Sequence, residues 1–414
     1  MAGVSDHGHA HPGDVELDLP SATGRALTWV AVALAVLTVV GMAVLWPDGS
    51  GQDAFIDSGF TREYVDAEVV AANERPCENL PDGYATETPV CGTYTIRLLE
   101  GPDAGLELSQ EVFDVATGSR FAVGDVLVMA YDPAVGDLQL EPGVTLPQGA
   151  EYSIKDRNRK APLVVLAVLF AVVVVALGRL RGLAALGGLV ATIVLLLAFT
   201  LPAIIDGRNA LAVAIVSASA IAFLAIYLAH GVTTMTTVAV LGTLAALLLT
   251  ALLGWLFTNA AQLTGFANEE ATYLAIGSAK ISISGLVLAG VVIGALGAID
   301  DMTVTQVASV AELHRANPDY GFRELYAAAN RIGQDHVAST VNTLVLAYAG
   351  ASMPLLVLLA VTDQPLAGVA NSELIATEIV RTLVGSIGLV AAVPLTTLLA
   401  CLVVRRGSVV AAAH

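Results

Sequence analysis

Long apolar runs restrict this chain more than any other property. A helix needs about 20 predominantly apolar residues to cross ~30 Å of hydrocarbon, where every backbone group must bond inside its own segment. Residues 27–46 form the first such run, and others follow at about 161–178, 183–205, 210–229, 235–257, 281–299, 337–361 and 383–404. Of the 414 residues only 14% are charged and 56% are hydrophobic, too little charge to cover a soluble fold of this length. The predicted architecture is therefore an all-α polytopic membrane bundle of about eight transmembrane helices. Residues 27–46 read as an uncleaved first span. Arg25 is the only base before them, the run is long for a signal peptide, and no A-x-A site follows directly.

The chain divides at 1–26, a flexible tail; 27–46, the first helix; 47–160, a polar block; and 161–414, the multi-span region. The net charge of −18 sits mostly in the polar block, which holds 21 acids and 8 bases. That balance argues against a nucleic-acid partner, which requires basic surface. Within the block, short alternating stretches at 64–70, 93–99, 110–115 and 126–131 are separated by glycine and proline. This is a strand-and-turn pattern, and it predicts a small β-rich domain resembling an OB barrel. Cys77 and Cys91 flank loop sequence inside it, and either close a disulfide in an extracytoplasmic compartment or remain free thiols. No C-x-x-C spacing occurs, so no metal or cofactor is expected. His7, His9 and His11 lie in the tail, where nothing preorganises a site.

Placing both termini on the cytoplasmic side puts Arg25, Arg179, Arg181, Arg315, Arg323, Arg331, Arg405 and Arg406 inside, in agreement with the positive-inside rule. The string KDRNRK, residues 155–160, is the exception, with four bases left outside.

Chemistry concentrates at the end of the sixth run. GLVLAGVVIGALGAIDDMTVTQVASVAE carries Gly285, Gly290, Gly294 and Gly297, then Asp300 and Asp301. Gly290 and Gly294 form a G-x-x-x-G pair, which permits close helix approach in lipid. If the helix continues, Asp301, Thr305, Ser309 and Glu312 make one polar stripe. Acids at such a place either face a cavity as an ion or proton site or have left the bilayer into water. Asp335 and His336 open the next run, with Asn342 seven residues after Asp335 on the same stripe. If the two runs are antiparallel neighbours, Asp300, Asp301, Asp335 and His336 meet as a proton-relay cluster or as helix caps. On the other side Lys280 begins the sixth run, and Glu378 pairs either with Arg381 at i,i+3 or with Lys280. Pro202, Pro354 and Pro394 are positioned to kink or break spans.

Three long strings, GALGAIDDMTVTQVASVAEL, GQDHVASTVNTLVLAYAGASMPLLVLL and NSELIATEIVRTLVGSIGLVAAVPLTTLLA, resemble the YibE/F family of bacterial multi-pass membrane proteins over roughly residues 160–405. The resemblance maps the family's residues onto Gly294, Gly297, Asp300, Glu312, Asp335, His336, Asn342, Thr343, Glu378, Arg381 and Pro394. It implies a permease in the cell membrane and leaves the substrate open. No P-loop or catalytic motif occurs, so the expectation is a permease rather than an enzyme. The alternative is a scaffold or receptor in the lipid bilayer, assembled as a homo-oligomer or with a membrane partner, whose outer domain binds that partner.

Overall fold

The computed structural model describes residues 22–57, 62–77, 90–112, 120–135, 148–267, 269–277, 280–361 and 365–411. The histidine-bearing tail lies outside them. Two compact units are present. One comprises the first helix and everything from Val174 onward, the other residues 56–173.

The second unit is a five-stranded antiparallel sheet. Its strands are β1 (Glu63–Pro76), β2 (Val90–Leu98), β3 (Glu107–Val112), β4 (Val126–Tyr131) and β5 (Tyr152–Arg157), in the order β3-β2-β1-β4-β5. Val65, Ala67 and Val69 of β1 alternate inward with Tyr94, Ile96 and Leu98 of β2, and Leu127 and Met129 of β4 complete the packing. A bulge between Val69 and Ala71 curls β1. The curl produces a half-barrel. The expected barrel closure is missing: among the described residues no ladder joins edges β3 and β5, and a single side-chain bond from Gln110 Nε2 to the Tyr152 carbonyl (2.9 Å) bridges them. Cys77 and Cys91 are disulfide-bonded across the β1–β2 hairpin.

Three of the four bases of KDRNRK are paired within this unit. Arg157 pairs with Asp125 (3.2 Å), Arg159 with Asp156 (2.7 Å) and Lys160 with Asp66 (2.7 Å). Asp156 is held below, and Arg159 above, its ordinary titration range, first of all by the bond between them. The block is part of strand β5 and its exit rather than a free basic segment.

The helical unit contains α1 (Ala22–Val44), α2 (Ser50–Asp57), the continuation of α3 (Lys160–Leu195), α4 (Leu201–Ile205), α5 (Ala210–His230), α6 (Thr234–Ala260), α7 (Glu269–Gly277), α8 (Ile283–Ala316), α9 (Phe322–Ala351), α10 (Met353–Val361), α11 (Leu366–Asn371) and α12 (Glu373–Ala411). Among the described residues six helices are long and apolar enough to span a membrane, or seven if the bent pair α9–α10 counts as one. Two features lower the expected eight. The runs at 161–178 and 183–205 are two helices that meet without a loop at Arg179, where the backbone is left-handed (φ 49°), and are counted together as one 46-residue segment. There the chain turns sharply. A Cβ on Gly182 would lie 2.3 Å from the Val174 carbonyl oxygen, whereas eight residues in a straight helix span about 12 Å. The run 337–361 is likewise broken by a 66° bend at Ser352, two residues before Pro354. Pro202 follows a π-helical turn at Leu196–Thr200 within a continuing helix, and Pro394 lies within the continuous α12.

Residues 300–336, between the apolar runs 281–299 and 337–361, are mostly helix. α8 continues to Ala316, with Met302, Thr303, Gln306, Val307 and Val310 buried, and α9 begins at Phe322. Glu324 accepts the N–H of Gly321 and fixes that start (3.0 Å).

Candidate functional site

α8 packs against α5, α6, α9 and α12, and its glycines define what touches it. A Cβ on Gly290 would lie 3.4 Å from the guanidinium of Arg381, and one on Gly294 would lie 2.9 Å from the hydroxyl of Tyr348. The G-x-x-x-G pair thus accommodates side chains of α12 and α9, not a neighbouring backbone. Gly285 lies against Ala210 of α5, and Gly297 faces open space. The tightest crossings occur between α6 and α12, where Gly242 meets Thr396 and Gly388 meets Thr250.

Polar bonds inside the bundle hold α8 in register. Gln306 is 2% exposed and donates to the Ala329 carbonyl (2.8 Å) and the Thr397 hydroxyl (2.7 Å), joining α8 to α9 and α12. Thr303 bonds Thr243 of α6 at 2.7 Å. The sequence reading missed all of these. Their one signal was Thr303 and Gln306 interrupting the apolar face that Met302, Val307 and Val310 share.

Asp300 is the acid of the site. Its Oδ1 is buried and has no hydrogen-bond partner among the described residues. The side chain lines a cavity of about 490 Å³ bounded by Gly188 and Thr192 of α3, His230 of α5, and Gly294 and Gly297 of α8. The space exists because three of those positions are glycine. A burial without compensation is costly for a carboxylate, so Asp300 stands where folding alone does not favour it.

The structure does not bring the rest of the expected cluster to Asp300. Asp301, Asp335 and Asn342 are exposed, and His336 is half-buried with its carbonyl accepting the Thr340 hydroxyl (3.0 Å). Among the described residues no hydrogen bond or ion pair joins Asp300 to Asp335 or His336, and no group of three His, Cys, Asp or Glu is placed to hold a metal ion. The reason is rotational. Asp300 lies on the flank of α8 that faces the cavity lined by α3 and α5, while the Gln306 bond to Ala329 joins α8 to α9.

The other acids are paired. Glu312 bonds Arg315 (3.0 Å), and Glu378 bonds Arg381 (2.8 Å) rather than Lys280. Lys280 lies with its own backbone against Gly207. The Arg381–Glu378 pair is about three-quarters buried, and Arg381 Nε has no partner there among the described residues.

A family model for YibE/F-like proteins matches residues 166–406, more than half the chain. The chain belongs to the YibE/F family. No curated protein and no solved structure matches it. The YibE/F region contains the Asp300 cavity, the Gln306 bonds and the Arg381–Glu378 pair in full, whereas the half-barrel precedes it almost entirely.

Proposed function

We propose that this YibE/F protein is a permease that moves protons or a small cation through its helical bundle, with Asp300 as the group that loads and releases the charge. The observation carrying the reading is the buried, partnerless carboxylate oxygen in a glycine-lined cavity. An ionisable group at membrane depth is expensive, and a site that must bind and release an ion is the ordinary reason to keep one. In this reading the protein resides in the cell membrane with both termini cytoplasmic. The disulfide-bonded half-barrel, OB-like in its strand order, faces the oxidising side.

The test is flux. Reconstituted into liposomes with an internal pH-sensitive dye, the wild-type protein is expected to dissipate an imposed proton or cation gradient, and Asp300→Asn to abolish this while the protein remains folded. No flux under any gradient would overturn the permease and favour a scaffold whose outer half-barrel binds a partner.

A further inference from the structure

A second, larger cavity of about 760 Å³ lies beside the first, lined mainly by apolar residues of α3, α5, α6 and α8, with Arg181, Thr233, Thr236 and Glu312 as its polar groups. The two cavities share three lining residues, Ala185, Ala229 and His230. Two of these are alanines. The third is an imidazole in the last turn of α5, exposed to the cavities and without a side-chain hydrogen bond among the described residues. Below it Gly231 ends the helix in left-handed backbone (φ 75°), so the ring stands at the terminus of a rigid element rather than inside a packed core.

We propose that His230 is the gate between the two cavities and the residue through which a proton reaches Asp300. The inference rests on the permease reading and adds a route to it: along α3, α5 and α8, entered from the larger cavity, not along the α8–α9 seam. The charged groups that line the two cavities with the ring are Arg181 from α3, and Asp300 and the Arg315-paired Glu312 from α8, while the start of α6 contributes the Thr233 and Thr236 hydroxyls. Imidazole suits this place because it ordinarily gains and loses a proton near neutral pH and carries two nitrogens. An excess proton arriving as hydronium in the larger cavity is accepted at one ring nitrogen and leaves neutral water; the proton on the other nitrogen passes to water in the smaller cavity, and that hydronium delivers it to the Asp300 carboxylate, the ring ending as the other neutral tautomer. The ring returns to neutral and the carboxylate becomes a carboxylic acid. Nothing else is oxidised, reduced or left charged.

Access and flux can be read separately in the full-length protein. Of the native cysteines, Cys77 and Cys91 are bonded to each other and Cys401 is buried, which gives a quiet background for thiol reagents. Gly297 lines the smaller cavity, and a Cβ there meets nothing within 4 Å, so Gly297→Cys fits without displacement. It is expected to react with a membrane-impermeant methanethiosulfonate from one face only. Adding His230→Trp, which fills the junction, is expected to slow that reaction strongly, and His230→Gln alone is expected to reduce proton flux to the level of empty liposomes. Reaction of Gly297→Cys at the same rate with and without His230→Trp overturns the gate, as does wild-type flux in His230→Gln, and either result leaves the permease standing. Absence of flux in the wild-type protein overturns both together. The labelling experiment leaves His230 intact in its reference arm, so a folding defect in His230→Gln does not decide the outcome.

Discussion

A Cβ on Gly388 would lie 2.0 Å from the hydroxyl oxygen of Thr250. α6 and α12 cross there at a distance no other residue permits. Gly388→Ala is therefore expected to destabilise the bundle by about 1–3 kcal/mol through overpacking. Thr250→Ala removes the offending hydroxyl and leaves a Cβ 3.3 Å away, so the double variant should recover most of the loss. Thermal melts of the four proteins in one detergent check this, and additive effects would disprove the contact.

Asp300 should behave unlike a structural residue. Because its Oδ1 is buried without a partner, replacing the charge by an isosteric amide removes a desolvation cost and breaks no bond. Asp300→Asn is expected to melt at the same temperature as wild type or higher, while transport is lost. A lower melting temperature with transport intact would mark Asp300 as part of the scaffold.

Gln306 should show the opposite pattern. Gln306→Leu removes two buried hydrogen bonds at once, to the Ala329 carbonyl and the Thr397 hydroxyl, and a cost of about 1–3 kcal/mol is expected for the pair. Melting temperature reports it, and Thr397→Val in the same background should add little.

Asp206 accepts backbone N–H bonds from Asp48 (2.6 Å), Gly49 (2.9 Å) and Gly51 (2.8 Å), which fastens the segment after α1 to the α4–α5 turn. Asp206→Ala frees three donors at once. Limited proteolysis should then cut near residues 47–52 at concentrations that leave wild type intact, and equal resistance would show that the clamp is dispensable.

The half-barrel should lose stability in alkali. Burial, aided by the bond to Asp103 (2.7 Å), raises the Tyr152 phenol above its ordinary value of 10.0. A folded-state value above the unfolded one contributes stability that is present below pH ~10 and lost as pH rises beyond it. Absorbance titration should reveal one tyrosinate forming only at strongly alkaline pH and absent from Tyr152→Phe.

Much of the fold was legible. Alternation in 64–70, 93–99 and 126–131 located β1, β2 and β4, because each has one face in the core. β5 was hidden: of YSIKDR only Tyr152 is buried, so its charges read as a basic exit. The last turns of α8 and the first of α9 were invisible to hydropathy because they carry the charges of the 300–336 region while remaining helical. The site was legible only as residue types. Asp300 stood out beside its glycines, yet its direction depends on how α5 packs on α8 and where α3 closes the cavity, which no local spacing encodes. His230 stood in plain view as a lone polar residue at a helix end, without any pattern to recommend it.

α8 extends without interruption from Ile283 to Ala316, 34 residues or about 51 Å, while the hydrocarbon layer is only ~30 Å thick. A single rod therefore carries the Arg381 contact at Gly290, the Asp300 cavity, the Gln306 bonds and a water-side handle ending near Arg315. It has the mechanics of a tiller. Because these positions share one rod, a tilt that swings the Asp300 flank toward or away from α5 also displaces the Gln306 bonds, so the site and the register of the bundle move together.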